Sequence, residues 1–155
     1  MVATRPSAGR SSFVVFNRFG KSNYMATSIH DHHIVEMTVN AAARTIRLRT
    51  AFPQGSGPEF ADVVFEGVEG YTFRGDALGT ILFDITAVDA IGLYREYAAE
   101  MQRTYTDSGG HGPWVRSESS AEAFLAGGEI RGYRLSSSIG LDGAVWARRL
   151  SISNG

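Results

Sequence analysis

Three of the four histidines in this chain of 155 residues lie close together, at positions 30, 32 and 33 of the stretch SIHDHHIVEMTV. In an extended segment, side chains two apart point to the same face, so His30 and His32 are placed to share one metal ion. Glu36 lies further along that face if the strand is unbroken, and its carboxylate would complete a set of three ligands. One function that this cluster predicts is therefore a small metal-dependent enzyme or sensor with one divalent metal.

The spacing His30-x-His32-x-x-x-Glu36 resembles the first metal-binding motif of the cupin family, in which such residues hold iron, manganese or zinc inside a small β-barrel. PQG at positions 53–55 is similar to the Pro-x-Gly of the second cupin motif. The chain departs from that pattern in two places. Tyr24 stands where cupins have a glycine, and Pro58 stands where the second motif has its histidine. These departures weaken the expectation of a cupin-like site.

The same histidines also have a structural interpretation. Apolar and polar residues alternate from Val35 to Val39, which predicts a half-buried strand whose apolar side chains face the core. His30, His32 and Glu36 would then lie on the opposite face, whereas a cupin site needs its ligands inside. In this interpretation His30 and Asp31 hold the start of the strand, because an Asp carboxylate accepts hydrogen bonds from nearby backbone N–H groups. This alternative needs no cofactor.

The size and composition of the chain are typical of one soluble domain. Its 155 residues are 43% hydrophobic and 20% charged, close to the average for globular proteins. The net charge of -1 favours neither nucleic acid nor a membrane as a partner. No stretch approaches the run of about 20 apolar residues that spans a bilayer. We therefore expect a cytoplasmic protein whose partner is another protein, with its oligomeric state left open.

Hydrophobic periodicity predicts an α+β fold, mainly an antiparallel β-sheet made of a meander and a C-terminal hairpin. Residues 1–12 are predicted to be a loose N-terminal segment, and residues 13–155 a single α+β domain. The predicted strands are 13–19, 34–39, 45–52, 61–66, 71–73, 81–85, 129–137 and 144–152. Asp142 and Gly143 are predicted to form the turn of the last hairpin.

One long and one short helix are predicted before the last two strands. Thr86 and Asp89 have the spacing of a capping box, and an apolar stripe then continues to Tyr105. Ser119 and Glu122 form a second capping box, which predicts a helix over residues 120–126. Both helices are followed by glycine pairs, which commonly end helices.

Two groups of residues are candidates for binding a protein. Arg47 and Arg49 share one strand face, and a basic sheet face of this kind can meet an acidic protein. The alternative is that Asp62, Glu66 and Glu69 pair with these arginines across neighbouring strands. Trp114 follows Gly-Pro on a predicted loop and is a candidate interface anchor. Its alternative place is against the core.

The order of segments resembles a group of small bacterial proteins of the immunity-protein type, many of them uncharacterised. The resemblance covers residues 28–152, and its motifs are IHDHHIVEMTV, RTIRLRT, VVFEGV, ILFDI and SSSIGLDGAVWARRLSI. It implies a non-catalytic protein that binds and neutralises a partner. It also implies that His30 and Asp31 position the start of the sheet. We therefore expect a protein-binding module, with the metal-dependent enzyme as the alternative.

Overall fold

The computed structural model describes residues 29–53, 56–75 and 77–155. Within them the predicted α+β class is confirmed, because eight antiparallel strands form one sheet and two helices precede the last strands. The predicted strand 13–19 and the predicted loose segment 1–12 lie outside the described residues. The strands are β1 (His32–Asn40), β2 (Thr45–Phe52), β3 (Glu59–Glu66), β4 (Gly70–Arg74), β5 (Ile81–Val88), β6 (Arg131–Ile139), β7 (Asp142–Ala147) and β8 (Arg149–Asn154). The helices are α1 (Ala90–Ser108) and α2 (Glu118–Leu125), with a 3-10 helix at Pro113–Arg116 between them.

The sheet closes on itself. Its strand order is β4-β7-β6-β5-β1-β2-β3-β8, so β4 and β8 stand at the two ends. However, β3 continues into β4 through a bend at Gly67, where φ is +62°, and β7 continues into β8 past Arg148. Because β3 pairs with β8 while β4 pairs with β7, the two bent strands lie side by side and join the ends of the sheet.

The closed sheet encloses one apolar core. Ile46 and Leu48 on β2 are fully buried, and the neighbouring Arg47 points outward, as the sequence predicts. The same alternation on β3 buries Val63 and Phe65. Further buried residues come from the remaining strands: Leu82, Ile85, Tyr133, Leu135, Val145, Leu150 and Ile152. Burial of these side chains removes apolar surface from water, which is the main favourable term in folding.

The helices pack on the outer face of the sheet, around the buried side chains of Trp146 and Tyr94. The carboxylate of Asp89 caps α1 by accepting the Gly92 N–H at 2.6 Å. The predicted capping residue Thr86 belongs instead to β5, which pairs with β6 up to Val88. Neither helix in the described part of the chain has the length and apolar character needed to cross a bilayer.

The last hairpin turns before the predicted position. Its turn lies at Gly140 and Leu141, with a φ of +92° at Gly140, and Asp142 and Gly143 already belong to β7. A Cβ atom at Gly143 would lie 2.1 Å from the carbonyl oxygen of Thr72 on β4. The Asp-Gly pair therefore reflects a close approach of two strands, which sequence alone does not distinguish from a turn.

Candidate functional site

Strand β1 separates from β5 after its first three residues. His32 and His33 are opposite Leu82 and Ile81, and the Ile34 N–H donates to the carbonyl of Thr80 at 2.9 Å. Beyond that point the described residues provide no strand on this side, and β1 pairs only with β2 as far as Asn40. Within the part of the chain that the structure describes, residues 35–40 are therefore an edge strand of a sheet that is otherwise closed, and we call the side that pairs with no described strand the free edge of β1.

A β-bulge at Val35 lies where β1 leaves β5. Ile34 is opposite Thr50 and Glu36 is opposite Arg49, so Val35 is one extra residue in β1. The expectation that Val35 faces the core is wrong, because its side chain is 54% exposed. A bulge bends its strand and shifts the alternation of the residues that follow, so simple alternation fails at this position.

Met37 and Val39 lie opposite the buried residues Leu48 and Ile46, so they share the inner face of the sheet. Despite that orientation they are 37% and 43% exposed. Nothing in the described part of the chain covers them, because β5 has already turned away. The prediction that these two side chains are buried is therefore wrong, although the face is the predicted one.

The backbone of the free edge pairs with no other strand among the described residues. Ile34 directs its N–H to β5, and backbone groups of antiparallel strands point to alternate sides. Following the register beyond the bulge, Glu36, Thr38 and Asn40 bond to β2, while Met37 and Val39 direct their N–H and C=O groups to the free side. Natural edge strands are commonly protected by charged side chains, by proline, by short length or by a bulge such as the one at Val35. Residues 35–40 have a single charged side chain, that of Glu36.

The free edge runs beside two pockets, which together with it we call the β1 groove. One has a volume of about 310 Å³ and is lined by Ile34, Val35, Glu36, Met37, Ala77, Leu78, Thr80 and Leu141. The other has a volume of about 330 Å³ and is lined by Val39, Asn40, Ala41, Arg44, Thr45, Ile46, Val68, Glu69, Gly70, Tyr71 and His111. Leu78 in the first pocket is fully exposed. The groove therefore combines unpaired strand backbone with apolar walls.

The two charged residues that line the larger pocket, Arg44 and Glu69, form an ion pair with each other. The Arg44 guanidinium bonds to the Glu69 carboxylate. His111 follows α1 in a left-handed conformation, with φ of 67°, and its ring meets the Tyr71 ring edge-on at 5.9 Å. Burial lowers the pKa of His111 below its ordinary value of 6.5, so the imidazole is neutral near pH 7. The pocket suits an apolar or hydrogen-bonding side chain.

His30 and Asp31 lie together at the start of β1. His30 donates its Nδ1 hydrogen to the carbonyl of Phe83 at 2.9 Å, and its Nε2 lies 3.4 Å from the Asp31 carboxylate. Asp31 has a φ of 63°, and its N–H donates to the Leu82 carbonyl at 2.9 Å. Both residues therefore connect the beginning of β1 to β5.

His32 faces the core, not the solvent-facing side predicted from the sequence. It is 4% exposed, and its Nδ1 lies 3.0 Å from the hydroxyl of Thr50. Thr50 donates its own hydrogen to the carbonyl of Ala61, so its oxygen accepts and His32 carries the hydrogen on Nδ1. Burial lowers the pKa of His32, against a smaller opposite effect of Glu59, and this favours the neutral ring.

The structure does not bring the three predicted metal ligands together. His30 bonds to β5, His32 is buried against β2, and Glu36 lies beyond the bulge, where it accepts a hydrogen bond from Thr38 at 3.1 Å. Within residues 29–53, 56–75 and 77–155, no three His, Asp or Glu side chains are grouped so that they could hold a metal ion. The metal-dependent alternative stays a prediction that only metal analysis of the protein tests.

The arginines predicted for binding have partners within the sheet. Arg47 forms a two-point hydrogen bond with Asp62, at 3.2 and 2.9 Å, which is the cross-strand pairing that the sequence offers as its alternative. The Arg49 guanidinium lies over the Phe60 ring, 4.9 Å from its centroid. The charge of Arg47 is therefore already balanced by a neighbouring strand.

Trp114 lies in the core on the helix side. Its side chain stacks on Phe124 with centroids 5.1 Å apart, and its indole N–H donates to the carbonyl of Glu69 at 3.3 Å. The residue is 7% exposed, so the alternative place against the core is the one that the structure adopts. Its large apolar surface is used for packing the helices.

The residues of the β1 groove were not identified from sequence as a binding site. The alternation of Val35, Met37 and Val39 is the same in a covered strand and in a free edge. The only available signal is the scarcity of protective charges in that stretch. Comparison with known proteins finds no similarity, since no protein-family model, curated protein or solved structure matches the chain.

Proposed function

We propose that this protein is a non-catalytic protein-binding module that takes up an extended segment of another polypeptide along the free edge of β1. The observation that carries the proposal is that, among the described residues, 35–40 form an edge strand with three exposed apolar side chains in a sheet that is otherwise closed. An added strand would bond to the N–H and C=O groups of Met37 and Val39. Main-chain hydrogen bonds supply affinity in this mode of recognition, and pockets for alternate side chains supply specificity.

The two pockets define the segment that fits. Side chains two apart on an added strand point to the same face, so successive ones would reach the pocket beside Met37 and then the pocket beside Val39. The first pocket has apolar walls at Leu78 and Leu141. The second offers Tyr71 and the neutral ring of His111. The expected ligand is an extended segment with apolar or uncharged side chains at alternate positions.

The resemblance to immunity-type proteins belongs to this proposal. Such a protein binds and neutralises a partner, and the proposed bacterial origin follows from the same resemblance. The proposed cytoplasmic location follows instead from the composition of the chain. The proposal assigns the partner to the β1 groove, where Met37 and Val39 are exposed. It does not rely on Arg47 or Trp114, whose side chains have partners within the fold.

Selection from an unbiased library of phage-displayed peptides tests the proposal without a known partner. We expect the selected peptides to show apolar residues at alternate positions. Added to labelled protein, they should shift the NMR signals of residues 35–40 more than those of α1. Met37→Pro should abolish this binding, because proline lacks the N–H that faces the free side. It should leave the fold intact, since proline is tolerated at unpaired edges.

A matched pair of charge substitutions completes the test. Val39→Glu places a carboxylate in the groove and should weaken peptide binding at least about tenfold, because an unpaired charge would be desolvated. Ile139→Glu also replaces a β-branched apolar side chain by a carboxylate. Ile139 is 62% exposed and does not line the groove. It should leave binding unchanged. Selected peptides whose shifts map elsewhere, or which bind Met37→Pro as well as the wild type, would refute the proposal.

A further inference from the structure

The loop after α1 carries a single large side chain among glycines. Residues 109–112 read Gly-Gly-His-Gly, and His111 has a φ of 67°, a left-handed conformation that glycine adopts freely and other residues adopt at a cost in free energy. The loop places the imidazole against β4. A Cβ atom at Gly70 would lie 3.5 Å from the His111 Nδ1 atom, and the imidazole meets the Tyr71 ring edge-on. His111 and Tyr71 therefore stand together in the wall of the larger pocket.

These two side chains offer hydrogen-bonding groups that no described residue uses. Neither the Tyr71 hydroxyl nor a ring nitrogen of His111 has a hydrogen-bond partner in the described part of the chain. Over the same residues, no side-chain nitrogen or oxygen atom is both fully buried and without a partner. The polar atoms of Tyr71 and His111 therefore remain accessible, and the larger pocket is the space that both residues line.

We propose that the larger pocket binds the phenol ring of an uncharged molecule, whose hydroxyl forms hydrogen bonds with Tyr71 and His111. This inference goes beyond the proposed function, because a small phenol can enter the pocket without a strand at the free edge of β1. The pocket volume of about 330 Å³ lies in the range of small-molecule sites, which are mostly apolar with a few convergent polar groups. Val39, Ile46 and Val68 supply apolar walls for the ring.

The charge and the hydrogen-bonding capacity of the lining favour a phenol over other groups. Arg44 and Glu69 are paired with each other, so a charged ligand would lose its hydration without gaining a free partner. A hydroxyl both donates and accepts, and so does a neutral imidazole, so a phenol can bond to His111 in either tautomer. An indole N–H can only donate. The flat ring can also pack against the rings of Tyr71 and His111, since aromatic pairs favour edge-to-face contacts.

Titration with p-cresol, followed by NMR of the labelled protein, tests the site with a defined probe. We expect saturable shifts in the signals of Val39, Tyr71 and His111. Toluene lacks the hydroxyl and 4-methylbenzoate carries a charge, so each should bind at least about fivefold more weakly. Shifts that map to other residues, or that are as strong with toluene, overturn the proposal.

Two substitutions remove the hydrogen-bonding groups with little disturbance of the fold. Tyr71→Phe keeps the ring, and His111→Gly places glycine at a left-handed position that suits it. Each should weaken p-cresol binding about fivefold and reduce its advantage over toluene. Tyr105→Phe also removes a hydroxyl, but Tyr105 lines neither pocket, so the affinity should be unchanged. If both pocket variants are folded, as their NMR spectra show, and bind p-cresol as the wild type does, the inference is overturned.

Competition identifies the source of the phenol. A peptide selected for binding along residues 35–40 that displaces p-cresol more strongly with tyrosine than with phenylalanine would show that the ring belongs to a tyrosine of the bound segment. Binding of p-cresol that no such peptide displaces would assign the pocket to a free phenol. Peptide binding without p-cresol binding overturns this inference and leaves the proposed function standing, whereas the reverse result overturns the proposed function alone.

Discussion

At the scale of single residues, His32 shows how a polar side chain is accommodated in the core. Its ring donates to Thr50, and Thr50 donates in turn to the carbonyl of Ala61. The Phe52 ring packs beside the imidazole, with the two ring centroids 5.5 Å apart. A buried polar group is costly only when it lacks a partner. This chain of bonds gives His32 a structural function.

Thr50→Val should therefore destabilise the protein although the two side chains have nearly the same shape. Thr50 is fully buried, so valine would leave the Nδ1 hydrogen of His32 without an acceptor. The expected loss in the free energy of unfolding is about 1–3 kcal/mol, measured by urea denaturation. Thr50→Ser keeps the hydroxyl and should lose less. An equal or smaller loss for the valine variant would contradict this hydrogen-bond scheme.

At the scale of elements, strand β1 has two parts with different surroundings. Its first part lies between β5 and β2, whereas the part after the Val35 bulge pairs, among the strands that the structure describes, with β2 alone. The transition from β5 to α1 depends on a single side chain. Asp89 ends the strand and begins the helix, because its carboxylate satisfies the otherwise unpaired N–H of Gly92.

Asp89→Ala should lower the free energy of unfolding by about 1 kcal/mol, because the first turn of α1 would lose its capping acceptor. The measurement is urea denaturation at neutral pH. Asp89→Asn retains a capping oxygen and should cost only a small part of that amount. If Thr86 were the cap, as its spacing suggests, then Thr86→Val would be the more damaging change, which we do not expect.

At the scale of the whole molecule, closure of the sheet decides which groups are buried. Closure brings β3 and β4 beside β8 and β7 and encloses the apolar core. It also places His32 within that core, while the loop after α1 leaves His111 half-buried beside β4. Burial lowers the pKa of both imidazoles, because desolvation disfavours their charged form.

Stability should consequently fall as the solution becomes more acidic. The unfolded chain binds protons at these two sites around pH 6.5, while the folded chain resists doing so. The contribution of the two neutral imidazoles to the free energy of unfolding is complete above that pH. It is lost as the pH falls through and below it, by at most about 1.4 kcal/mol per pH unit for each group. Half-buried His111 should contribute less, because solvent screens its charge.

Urea midpoints measured at pH 7.5, 6.5 and 5.5 would show this decline, and the interval stays above the range in which most carboxylates titrate. His111→Gln should reduce the slope by the contribution of that residue alone. A protein that becomes more stable between pH 7.5 and 5.5 would contradict the assignment of two histidines with lowered pKa.

The sequence by itself determined the class of fold and most of its elements. The period-two alternation identifies β2 and β3, and the helical stripe identifies α1, because local burial patterns follow the geometry of each element. The start of α1 does not follow from the sequence, because its cap is Asp89 and not the predicted Thr86. Helix α1 can begin only where strand β5 ends. That position depends on the pairing of Thr86 and Val88 with β6, which is a long-range contact.

Only the tertiary structure decided the candidate site. The bulge at Val35 reverses the expected orientations, so His32 lies inside and Val35 outside. The exposure of Met37 and Val39 depends on β5 leaving β1 after Ile34. Neither effect is encoded in the alternation of β1, because burial depends on which distant strand comes to lie alongside. The pattern specifies which side chains share a face, and the packing of the whole sheet determines whether that face is covered.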